Sequence, residues 1–247
     1  MPFTLVGYFQ NQSSTTLVPV AALADQHVTV SGNFIRPPKP MSKIGALCAL
    51  GALLTRARIV SPSLRARAPL EIQPLNLAVL PSSPTPIFDA FDSPIDLAAT
   101  EDVSAEITNS GAENETVLMW LQDRPLRPSG GKYQTFRFTG TTTLVVNKWT
   151  AVALTPDSTL PAGTYEVGGM RAQSTNLQAA RLIFPGYPWR PGCIGYGASG
   201  NIESFEFRQG ALGPWGRFTN IALPQVECLA NVADTAETIW MDIRKVG

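Results

Sequence analysis

The sequence predicts an all-β protein built as two tandem sandwiches. Three observations carry this. Most of the chain consists of alternating or short apolar runs bounded by Pro, Gly, Asn, Asp and Ser, the pattern of strands and turns. The 21 prolines and 20 glycines follow no period, so they mark turns and not a fibrous repeat. One stretch, "DRPLRPSGGKY" (123–133), has two prolines, two glycines and no periodicity, and reads as a linker near the middle of the 247 residues.

The elements follow in order. The strand runs of the first half are "FTLVGYF" (3–9), "TLVPVAAL" (16–23), "HVTVSGNFI" (27–35), "ARIVS" (57–61), "LEIQPLNLAVL" (70–80), "IDLAA" (95–99), "VSAEITN" (103–109) and "TVLMWLQD" (116–123). Prolines inside several of them point to edges, bends or strand starts. Those of the second half are "YQTFRFTG" (133–140), "TTLVV" (142–146), "WTAVALT" (149–155), "GTYEVGGMRAQS" (163–174), "AARLIFP" (179–185), "CIGYGA" (193–198), "ESFEFRQG" (203–210) and "TIWMDIRK" (238–245). The expected domains are 1–123 and 133–247, joined by 124–132. Eight strands in roughly 120 residues is the size of one jelly roll, two four-stranded sheets joined by Greek keys. The fold class is therefore two tandem eight-stranded jelly rolls. The halves show no obvious sequence identity, so any repeat is expected to be structural only.

One or two short helices complete the expectation. "SKIGALCALGALLTRARI" (42–59) is an apolar run with basic ends. The residues between Lys43 and Arg56 are too few for a membrane span, which needs about 20. Ser42 suits an N-cap, and Arg56 and Arg58 suit the negative end of a helix dipole. The run is expected to be one short helix, covered on nearly all sides. "LPQVECLAN" (223–231) is the second, weaker candidate. The beginning "MPFTLVGYFQ" has no basic region of the kind that opens a signal peptide.

Composition narrows the chemistry. A single histidine, His27, speaks against a His-based triad and leaves too few histidines for a multi-His metal centre or a HExxH helix. The three cysteines, Cys48, Cys193 and Cys228, are widely spaced without a CxxC, and read as small core residues of a chain folded in a reducing compartment. Asp89, Asp92, Asp96, Glu101 and Asp102 form an acidic string, but it shows neither the defined separation nor the cleft of a glycosidase pair. Oxygen ligands for calcium exist there without EF-hand spacing, and a solvated acidic face is the expected state. "GASGN" and "PSGGK" are turns and not phosphate loops. "NET" (114–116) fits a glycosylation sequon of a kind common by chance. No catalytic residue, metal or cofactor is expected.

Net charge is zero, but it is blocked along the chain. Residues 26–70 hold seven basic residues (Arg36, Lys39, Lys43, Arg56, Arg58, Arg65, Arg67) and no acid, while 71–123 holds ten acids and no base. Two readings stay open. Folding mixes the blocks on one surface, or the subunit is polarised toward polyanions or acidic neighbours.

Trp and Arg recur at Gly/Pro corners: "PWRPG" with Trp189 and Arg190, and "GPWGRF" with Trp215 and Arg217. These residue types anchor protein–protein contacts, although each tryptophan can equally plug its own sandwich. Trp120, Trp149 and Trp240 lie inside strand runs, where core packing is expected.

The texture of "DLAATEDVSAEITNSGAENETVLMWL" (96–121), "GGMRAQSTNLQAARLIFPGYPWRPGCIGY" (168–196) and "FRQGALGPWGRFTNIALPQVECL" (207–229) resembles the double jelly-roll major capsid proteins of tailless icosahedral viruses. That resemblance implies a homotrimeric capsomer that self-assembles into a virion shell, is made in the host cytoplasm and carries no catalytic site. It also implies minor capsid proteins, and genome or an internal membrane, as partners. The expected subunit interface uses some of Trp189, Arg190, Trp215 and Arg217. The expected inner basic face is Arg56, Arg58, Arg65 and Arg67, with the helix at 42–59 buried in the capsomer. The alternative is a non-catalytic β-sandwich module that binds carbohydrate or acts as an adhesin.

Overall fold

The structure, a computed structural model, describes residues 3–65, 70–72, 74–75, 88–196 and 209–247. The chain divides into two compact units: Leu5–Pro125, and Leu126–Gly247 together with Met1–Thr4.

The first run of strands is β1 (Phe3–Gln12), β2 (Val18–Pro19), β3 (Thr29–Ser31), β4 (Phe34–Arg36), β5 (Lys43–Leu50), β6 (Leu54–Val60), β7 (Leu70–Ile72), β8 (Pro74–Leu75), β9 (Phe88–Asp89), β10 (Ile95–Asp96), β11 (Ser104–Asn109) and β12 (Glu113–Gln122). One sheet runs β1-β12-β5-β10, with β8 and β9 also on β5; the facing sheet runs β2-β11-β6-β7. The pair β3–β4 is a separate hairpin whose turn uses Gly32 at φ +58°.

The second run is β13 (Gln134–Gly140), β14 (Thr150–Val152), β15 (Thr155–Pro156), β16 (Thr164–Gln173), β17 (Leu177–Ile183), β18 (Gly192–Tyr196), β19 (Gly216–Thr219), β20 (Gln225–Ala230) and β21 (Glu237–Lys245). One layer is β13-β21-β16-β19 and the other is β14-β20-β17-β18. A short parallel contact, Ala172 with Gly195 and Gln173 with Tyr196, links the layers at one point.

Both runs therefore share one pairing diagram. With the short side strands β3, β4, β8, β9 and β15 set aside, each run has eight strands among the described residues. Each pairs its first, last, third and sixth strands in one sheet, and its second, seventh, fourth and fifth in the other. That order is two Greek keys wound into a jelly roll. The protein is a double jelly roll.

The hydrophobic cores lie between the layers. Leu5, Tyr8, Ile44, Leu47, Ile59, Ile107, Leu118 and Trp120 are fully buried in the first unit, and Tyr8 Oη donates to the Val103 carbonyl at 2.8 Å. Trp120 meets Phe91 edge-on at 6.4 Å. Phe138, Val167, Met170, Leu182, Val226, Ile239 and Met241 fill the second unit. Trp149 is buried as expected, while Trp240 is only half-buried.

Two expectations are corrected. Residues 42–59 form no helix: they are β5, a turn at 51–53, and β6. Every β5 residue from Ile44 to Leu50 is buried, and strands pair along both its edges. A strand covered on both faces loses the alternation that distinguishes it from a buried helix. The turn is held from a distance, because the Glu113 carboxylate accepts from the backbone amides of Ala52, at 2.8 Å, and Leu53. Small residues here do admit close approach: a Cβ on Gly45 would lie 1.9 Å from Gln122 Oε1. The candidate "LPQVECLAN" is β20 and its approach. The helices among the described residues are a 3-10 turn, Lys39–Met41, and one α turn, Pro62–Arg65.

The register also brings a few identical residues of the two runs to equivalent positions. Thr116 pairs with Leu50, the last residue of β5, and Thr238 pairs with Gln173, the last residue of β16. This aligns "ETVLMWLQ" (115–122) with "ETIWMDIR" (237–244), matching Glu, Thr and Met. Three identities in eight are too few to see before the register is known.

Candidate assembly surfaces and charge sites

The basic block folds against the acidic block of the same chain. β6 lies between β7 and β11, which places Arg58 opposite both Glu71 and Glu106. Arg58 pairs with Glu106 at 2.6 Å, and Arg56 pairs with Glu71 through two bonds of 2.6 and 2.9 Å. Arg36 pairs with Asp102, and Lys43 with Asp96. Hydrogen bonds from Arg56 and Arg36 hold the carboxyls of Glu71 and Asp102 below their ordinary range. Two of the four expected inner-face arginines, Arg56 and Arg58, thus have acidic partners within their own unit. The side chain of Arg65, and Arg67 altogether, lie outside the described residues.

The acidic string is engaged in the same way. Beyond Asp96 and Asp102, Glu101 accepts from the amides of Ser63 and Ala98, at 2.9 and 3.0 Å, and Asp89 from that of Phe91, at 3.0 Å. These carboxylates hold turns and ion pairs. Among the described residues no three His, Cys, Asp or Glu side chains gather as metal ligands would.

The four corner residues separate into two kinds. Trp215 has no exposed surface; its ring meets Phe3 edge-on at 5.2 Å, and its amide donates to the Val167 carbonyl at 2.8 Å. Arg190 is 5% exposed and shares the Glu227 carboxylate with Arg181, whose Nε lies 2.7 Å from it. Arg181 in turn stacks 4.1 Å over the Trp149 ring. These two corner residues are interior to their unit, which corrects their assignment to a contact surface. Trp189 is half-buried beside the exposed Tyr187, and the Arg217 side chain is 63% exposed. Both therefore reach the surface.

Arg217 is anchored from below. It lies opposite Glu166 in the β16–β19 ladder and bonds to it at 3.0 and 3.2 Å. Glu166 is buried and also accepts from Arg244 Nε at 2.9 Å and Tyr133 Oη at 3.3 Å. Glu166 and Glu227 organise these corners, and sequence reasoning missed both. The signal available was a lone acid inside an apolar run, which has no meaning until its cross-strand partner is known.

Cys48, Cys193 and Cys228 are buried thiols without a disulfide. Burial pushes Cys193 up to about 12 and Cys228 well above its ordinary value, so both are inert core groups. An open apolar cleft of about 360 Å³ lies against β14, lined by Val152, Leu154, Leu223 and Pro224 among others. No helix among the described residues is long and apolar enough to cross a membrane.

No known family matches the sequence, and no curated protein matches it. Among solved structures the chain is similar to the major capsid protein P2 from bacteriophage PM2, at 10% identity over 99% of this chain and 97% of that one, with a TM-score of 0.26. It is also similar to the STIV MCP, at 11% identity over 96% of each chain, with a TM-score of 0.28.

Proposed function

We propose that this chain is a major capsid protein: a structural subunit that trimerises and self-assembles into an icosahedral virion shell. The observation that carries this reading is the double jelly roll itself, two sandwiches with one pairing diagram in a single chain. Three such chains bring together six sandwiches of one pairing diagram, the number that a pseudo-sixfold capsomer requires. The internal pairing of acids with bases fits a building block whose contacts are made by shape and apolar surface. Asp89, Asp96, Glu101 and Asp102 are engaged in turns and ion pairs, which fits a non-enzymatic role.

The trimer contact is assigned to Trp189 and Arg217, with Tyr187 beside the former. An interface of this obligate kind buries roughly 2,000 Å² or more in total. Arg65 and Arg67 carry the remaining assignment to the inner face, toward genome or an internal membrane. The protein is then a virion component made in the host cytoplasm, and minor capsid proteins are further partners.

The test is the mass of the purified chain in solution, followed by electron microscopy. Three chains of 26.6 kDa make a species of about 80 kDa, and a shell is far larger. A stable monomer that binds on a carbohydrate array would overturn the capsid reading in favour of a β-sandwich binding module. Charge reversal of Arg65 and Arg67 tests the inner face: shells that form normally and retain their genome or lipid would remove that role.

A further inference from the structure

The register match between the two jelly rolls places one buried glutamate at the same corner of each. Glu115 and Glu237 each precede the threonine that pairs with the last residue of the third strand. Each therefore sits beside a three-residue turn, Gly51–Leu53 in the first unit and Ser174–Asn176 in the second. Glu115 is 0% exposed and Glu237 is 1% exposed. A buried carboxylate is ordinarily paired with a cation or saturated with donors. These are not. Asn109 Nδ2 donates to Glu115 Oε1, but Oε2 has no partner, and no other residue donates to either oxygen of Glu237, on which only its own backbone amide acts.

A second acid sits above each. Glu113 accepts from the amides of Ala52 and Leu53. Asp234 accepts from Ser174 Oγ at 2.5 Å and from the amide of Asn176 at 2.8 Å. At both corners one carboxylate ties down the turn while another is enclosed nearby without a counter-ion. The part-exposed acid and the enclosed one would carry like charge, which opposes ionisation of the enclosed one.

We infer that Glu115 and Glu237 are matched proton-binding sites, and that their ionisation loosens the adjoining turn of each jelly roll. The inference goes beyond the capsid assignment and stands without it.

The surroundings support this. Burial first, and the neighbouring charge after it, push both carboxyls up to about 7, with Glu113 acting on Glu115 and Asp234 on Glu237. Among the described residues no basic side chain bonds to either. Around Glu237, β20 contributes Cys228, and β13 contributes Gly140 opposite it. The nearest arginines in the flanking ladders, Arg137 and Arg171, lie opposite Trp240 and pair with Asp157 and Asp242. Around Glu115, the facing residues are Thr116's partner Leu50, Gly51 and Asn109, with Glu113 the charge that acts on it.

The sign follows from linkage. Each folded-state value, about 7, lies above the ordinary 4.5. The protonated acids therefore support the fold fully below the ordinary value, and the support is lost as pH rises through the folded one.

Carboxyl-carbon NMR of the intact protein with labelled glutamate tests the proton sites directly. Two resonances titrating near neutrality are expected, one missing in Glu115→Gln and the other in Glu237→Gln. If every glutamate titrates within about one unit of 4.3, the inference is overturned. Hydrogen exchange at residues 51–54 and 174–177 tests the loosening. Beyond the intrinsic pH effect, opening at these turns should rise by on the order of tenfold or more from slightly acidic to slightly alkaline pH, and the rise should vanish in the double glutamine variant. Opening that is equally pH-dependent in that variant, or independent of pH in the unsubstituted protein, overturns it. Should the double variant not fold, the unsubstituted titration and exchange still decide.

Discussion

Arg58 on β6 stands directly opposite Glu106 on β11 and closes on it at 2.6 Å, with both side chains more than half-buried. This one pair joins the basic stretch of the chain to its acidic stretch inside a single sheet. A charge pattern that looks polarised along the sequence becomes a neutral seam in the fold.

Removing one partner should therefore cost more than an exposed ion pair does. Glu106→Gln or Arg58→Met should each destabilise the chain by about 1 kcal/mol, since the pair is partly sheltered from solvent. Urea denaturation of both single variants and the double variant measures this. A coupling near zero would show that the pair is ornamental.

Trp215→Ala should cost about 3–5 kcal/mol of subunit stability, because it empties a fully enclosed site against Phe3. Trp189→Ala should cost far less stability and instead weaken assembly. Thermal melting of the subunit, set beside the assembled fraction at fixed concentration, separates the two effects. Assembly unchanged by Trp189→Ala would remove that residue from the interface.

Glu227→Gln should be among the most damaging single changes. It leaves Arg181 and Arg190, 1% and 6% exposed, without the charge they share. Breaking such a buried pair from one side costs about 3–5 kcal/mol. Replacing Arg181 by Met in the same background should recover part of the loss, and soluble yield with denaturation midpoint reads both.

Asp234 gives a pH dependence of opposite sign to that of Glu237. Burial raises its pKa, but Ser174 Oγ and the amides of Asn176, Thr235 and Ala236 outweigh that and leave it below the ordinary 3.8. Its stabilisation is present above the ordinary value and is lost as pH falls through the folded one. Asp234→Ala should cost about 1–3 kcal/mol near neutral pH, with the difference from the unsubstituted protein shrinking in acid. Denaturation curves across that range check it.

The sequence by itself determined the all-β class, the many turns and the long regular strands. β1, β11, β12, β13, β16, β17 and β21 all fall on runs whose alternation or strand-forming composition is local. A single histidine also rules out a metal centre built from several histidines of this sequence. The tertiary structure decided the rest. The 42–59 run became two strands because β5 is enclosed by its sheet, and enclosure erases the period that local reading needs. The place of the sixth strand in the second sandwich went to Gly216–Thr219, a corner by composition, because pairing with β16 satisfies its backbone. The run "ESFEFRQG", expected to be a strand, lies almost wholly outside the described residues. Trp215 and Arg190 turned inward while Trp189 and Arg217 reached the surface, although all four share one local texture. The match of Glu115 with Glu237 appeared only once the register was known. Burial, pairing partners and register are relations between residues far apart in the chain, and a local pattern does not encode them.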